Sequence, residues 1–93
     1  MGFYIGVVAL ARGDTAEAVR RFADARRSYR QLFSPSHPGH KTLDCVDGIL
    51  QVRRRQLQGA DLLLRRCDEY ERWGLASPLV VSWVREARTR LRG

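Results

Sequence analysis

Lysine is almost missing from this chain: of 17 basic residues only Lys41 is not arginine. Usage so lopsided suggests a GC-rich bacterial coding sequence as much as selected chemistry. The net charge of +7 therefore favours acidic partners, nucleic acid or anionic membrane without choosing among them. Cysteine is scarce too. Cys45 and Cys67 form neither a CxxC pair nor a disulfide-dense scaffold, so they are expected as reduced thiols inside helices, with a cytoplasmic location as the default. No apolar run approaches membrane-spanning length. The opening "MGFYIGVVALA" lacks the basic n-region of a signal peptide, and Gly6 stands where a myristoylation signal needs Ser or Thr. No stretch alternates with period two, and neither a Gly-rich phosphate loop nor a GxSxG elbow occurs.

What is there is helical periodicity. The 93 residues, 44% apolar and 29% charged, suit one folded domain over residues 1–93. A short first helix over Phe3 to Arg12 stops at Gly13. Asp14 then caps an amphipathic helix that carries Ala18, Val19, Phe22, Ala25 and Tyr29 and ends near Phe33. "FSPSHPGHKT" interrupts the pattern, because two prolines and a glycine within five residues cannot sit inside a helix. Beyond it, Leu43, Val46, Ile49, Leu50 and Val52 mark a third helix, and Leu57, Ala60, Leu64, Cys67 and Tyr70 a fourth. Gly74 and Ser77-Pro78 punctuate again before a fifth stripe of Val80, Val84, Ala87 and Leu91. The fold class is all-α: a first hairpin over about 1–34, a second over about 39–74, and a last helix over about 78–92.

Sliding the chain on itself finds one persistent offset, of 42 residues. Gly6 falls on Gly48, Ala18 on Ala60, Phe22 on Leu64 and Ala25 on Cys67. The small residues let paired helices approach, and Phe22 and Leu64 fill the space between. These residues, with "GDTAEAVRRFADARRSYRQLFSPSHPGHKT", resemble a tetratricopeptide repeat, in the longer variant found in kinesin light chains and many bacterial signalling proteins. The resemblance implies antiparallel hairpins stacked as a short α-solenoid, closed by a C-terminal capping helix, that binds other proteins. It also implies that Ser34-Pro35-Ser36-His37-Pro38 joins successive hairpins. The chain departs from the pattern where Arg55 takes the place of Gly13 and Asp47 that of Ile5. Because "RRRQLQG" lacks the stopping glycine, residues 41–72 could instead run as one helix and exchange between copies. The closed hairpin is expected.

His37 and His40 lack the further ligands that zinc needs, the carboxylates match no acid–base spacing, and no activated nucleophile stands out. No enzymatic activity, metal or cofactor is expected. If the resemblance holds, the concave face is lined by Phe3, Val7 and Leu10 from one hairpin and Cys45, Ile49, Val52 and Arg53 from the next, with Arg85 on the last helix. That strip runs from apolar to basic and suits a partner peptide or helix with an apolar anchor and an acidic end. A homodimer is expected as well, through this groove or by helix exchange, and no membrane association. The alternative is a basic accessory module on nucleic acid, with arginines such as Arg26-Arg27 and Arg53-Arg54-Arg55. Charge spread over several helices without interleaved aromatics gives it less support.

Overall fold

Asp14 and Gly13 set the first corner of the molecule. In the computed structural model, which describes residues 2–72 and 78–92, α1 (Gly2–Ala11) closes as Gly13 takes φ +82° and donates its N–H to the Leu10 carbonyl at 3.0 Å. A Cβ at Gly13 would meet nothing within 4 Å, so the left-handed backbone alone asks for glycine here. One residue on, the Asp14 carboxylate accepts the Glu17 N–H at 3.1 Å and starts α2 (Thr15–Leu32).

The proline-rich connection is a built turn. His37 caps α3 (Pro38–Arg53), its Nδ1 accepting the Gly39 N–H at 3.0 Å, and Pro38 takes the first helical position, where a missing N–H leaves no bond unmade. The His37 ring stacks on Phe33 at 4.0 Å between centroids, Tyr29 meets Phe33 edge-on, and His40 Nε2 lies 3.0 Å from the Ser34 carbonyl oxygen. Both histidines are thus engaged in shaping the loop.

The second hairpin is closed. After α3, Arg54 donates its N–H to Leu50 and Arg55 to Val52, and Arg55 adopts φ +60° where the first hairpin has Gly13. α4 (Ala60–Arg72) then returns along α3, and α5 (Pro78–Arg92) follows. Pro78 begins α5 as expected; Gly74 and Ser77 lie outside the described residues.

Packing follows the 42-residue offset. α1 lies chiefly on α2 and α3 on α4, α2 meets α3, and α5 rests on α3 and α4. A Cβ built on Gly6 would fall 2.6 Å from the Phe22 ring, and one on Gly48 would fall 3.0 Å from Leu63 Cβ and 3.1 Å from the Leu64 backbone nitrogen. Glycine is what lets each leading helix touch its partner. Ala18, Phe22 and Ala25 are buried on α2, as are Ala60, Leu64 and Cys67 on α4. One core runs through both hairpins into Val80, Trp83, Val84 and Ala87 of α5. The described residues hold five helices and no strand, and none of these helices is long and apolar enough to cross a membrane.

The expectation of reduced thiols is corrected. Cys45 and Cys67 are bonded to each other across α3 and α4, with a Cα separation of 4.8 Å. Twenty-two residues separate them in sequence, but the antiparallel return of α4 brings them opposite one another. The free thiols that suggested a reducing compartment are absent, so they say nothing of location.

Candidate functional site

The expected concave groove is mostly core. Leu10, Cys45, Ile49 and Val52 are all buried, none more than 3% exposed. Phe3 and Val7 are half-buried against the core, Phe3 with its ring 5.7 Å from that of Phe22. Arg53 lies with its guanidinium 5.4 Å from the centre of the Trp83 ring, and Arg85 is exposed on α5. The cause is α5. Its buried stripe of Val80, Trp83, Val84 and Ala87 needs an apolar counterpart, and Ile49 and Val52 supply it alongside Trp83 and Ala87. The α3 half of the proposed strip is therefore sealed by the chain itself.

An open cleft lies instead between the two hairpins. Val19, Phe22 and Ala23 of α2 and Leu50 of α3 supply its apolar lining, and Arg26, Asp47, Gln51, Arg54 and Gln56 add polar groups around a volume of about 300 Å³. That is the lower end of the range for sites that hold a small ligand or one large side chain. Arg26 bridges the hairpins with bonds to Asp44 at 2.9 Å and Asp47 at 2.7 Å. Burial pushes the Asp47 carboxyl above its usual range, and Arg26 pulls against that without cancelling it. This ion pair accounts for the departure from the repeat pattern at Asp47. Arg54 is exposed at the cleft and has no carboxylate partner among the described residues. The cleft thus offers an apolar pocket with one uncommitted cation beside it.

Arginines also collect at one end of the molecule. The turns after α1 and α3 bring Arg12, Arg54 and Arg55 to the hairpin tips. α5 runs antiparallel to α4, with Arg88 on Asp68 and the Leu64 carbonyl and with Leu91 and Arg92 beside Asp61, so Arg90 and Arg92 reach the same end. Of these five, only Arg90 has a carboxylate partner among the described residues, Glu86 at 2.8 Å. Within α2, Glu17 takes both Arg20 and Arg21 and Asp24 takes Arg27, while Lys41 of α3 meets Glu69 of α4.

Arg54 was expected only within the Arg53-Arg54-Arg55 run weighed for nucleic acid, and the cleft beside it was not expected, because both depend on how α2 crosses α3. The break in the repeat at Asp47, opposite a basic α2, was the available signal. No family model, curated protein or solved structure matches this chain.

Proposed function

We propose that the chain is a non-enzymatic protein-binding module, a short TPR-like stack of two hairpins and a capping helix. It takes an apolar side chain of a partner peptide into the α2/α3 cleft and sets a neighbouring carboxylate on Arg54. The observation that carries this reading is the cleft itself, an apolar pocket beside a guanidinium with no carboxylate partner among the described residues. Burying one large side chain there contributes about 1.5–3 kcal/mol, and a charge-assisted bond to Arg54 adds orientation. The TPR-like reading is supported by the repeated contacts of Gly6 with Phe22 and of Gly48 with Leu64. It does not depend on the compartment.

A second reading, nucleic-acid binding, is favoured by the unpaired arginines at the hairpin tips. One titration separates the two. Peptides with a C-terminal Leu or Phe and a free carboxylate, and a random-sequence DNA duplex, are each measured by fluorescence anisotropy at low and high salt. The protein-binding reading expects saturable peptide binding that Arg54→Glu weakens at least about tenfold, with DNA bound only weakly. DNA affinity that falls steeply with salt, together with no peptide binding, would favour the second reading.

A further inference from the structure

The leading helices of the two hairpins occupy equivalent positions but have different neighbours. On α3, Asp47 and Leu50 face α2, Asp47 bonded to Arg26 and Leu50 beside Phe22, while Val46, one turn earlier on the same face, is 0% exposed. Shifted by the 42-residue offset, these positions are Ile5, Val8 and Tyr4 of α1. There Tyr4 is 72% exposed, Ile5 is 44% exposed and Val8 is half-buried, because α1 packs chiefly on α2. The same molecule therefore shows this face once covered by a helix and once bare.

We propose that a second copy of the chain covers the Tyr4–Ile5–Val8 face with its own, forming a closed two-fold dimer through α1. Charge selects this occupant. α1 contains no charged residue in a chain of net charge +7, so two copies can meet there without setting arginine against arginine. Head-to-tail stacking would need the far end of the molecule to present an apolar stripe like the one α2 offers α3, and the described residues there form none. The α4 residues equivalent to Val19 and Ala23 are Asp61 and Arg65, which pair with each other at 3.1 Å. On α5 the exposed residues include Ser82, Arg85, Glu86 and Thr89. The exposed Leu62 and Leu79 sit near the starts of antiparallel helices, at opposite ends of the unit, and make no stripe. Among the described residues α1 is the uncharged face that matches α1, and an interface of one face with itself closes at two copies. None of the cleft residues lies on α1, so this inference and the peptide-binding reading fail independently.

Light scattering on the full chain at about 100 μM tests it. The expected mass is twice 10.7 kDa. Tyr4→Arg, at an exposed position, should return the protein to monomer with its far-UV dichroism unchanged, whereas Leu79→Arg should leave the dimer intact. A wild-type monomer at that concentration would overturn the proposal, as would a dimer that survives Tyr4→Arg. So would a mass that grows beyond two copies, which marks head-to-tail stacking. Peptide anisotropy on the Tyr4→Arg monomer reports separately on the cleft.

Discussion

Arg55 holds a backbone conformation that costs an L-residue free energy. Its φ of +60° matches the +82° of Gly13 at the equivalent turn, and nothing in the described residues requires its side chain there. Arg55→Gly should stabilise the fold by about 1 kcal/mol, and Gly13→Ala should destabilise it by a similar amount. Paired urea unfolding curves measure both. Asp47 makes a pH-dependent contribution of definite sign. Its folded-state pKa is raised, first by burial, so the stability it adds is present at acid pH and is lost as pH rises through that raised value. Glu69 acts the opposite way. Hydrogen bonding to Lys41 lowers its pKa, and its contribution is lost as pH falls. The stability difference between wild type and Asp47→Asn isolates the first effect: it should favour wild type most below pH 3.8, decline as pH rises, and then stay level to neutrality. At this scale much was legible in the sequence. Asp14 and Gly13 act on backbone groups within three residues, so their roles follow from local order alone, whereas the cap that His37 makes for α3 was not read from the sequence. Arg55 was legible as a departure from the pattern, but its adoption of the glycine conformation was not, because the closure of the whole hairpin imposes it.

The hairpin is the element in which pairs of residues act together. Where the first hairpin places Phe3 and Ala25, the second places Cys45 and Cys67 and joins them. By loop-closure entropy, a bond spanning 22 residues contributes about 3 kcal/mol, and it holds shut a hairpin whose turn carries the cost at Arg55. Thermal melts with and without reductant should show a clear fall in melting temperature on reduction, and the Cys45→Ala, Cys67→Ala double variant should melt low under both conditions. Equal melting temperatures would mean that the bond adds nothing. The hairpins themselves were legible, since the offset repeats the small residues that allow close approach. The bonded pair was not, because it depends on register across the turn. The destination of α5 was likewise hidden. Val80, Val84 and Ala87 announce an apolar stripe, but not that the stripe, with Trp83, lands on Ile49 and Val52 and closes the groove.

At the scale of the whole molecule, stacking two hairpins creates what neither holds alone. The α2/α3 cleft exists because Arg26 ties α2 to Asp44 and Asp47, leaving Phe22 and Leu50 beside an opening next to Arg54. The same stacking gathers the unpaired arginines at the hairpin tips and leaves the uncharged face of α1 uncovered. The cleft shares no residue with the apolar-to-basic groove expected from the sequence. The cleft was not legible, because the sequence shows which faces are apolar but not which of them α5 covers. Amide chemical-shift mapping on isotope-labelled protein, with a peptide ending in Leu and a free carboxylate as the titrant, decides whether the α2/α3 cleft takes a partner peptide. Shifts should concentrate on Val19, Ala23, Leu50, Gln51 and Arg54 and be lost in Arg54→Glu. Shifts confined to α1 or α5, or none with the peptide but strong shifts at Arg12, Arg55 and Arg92 with DNA, would contradict it.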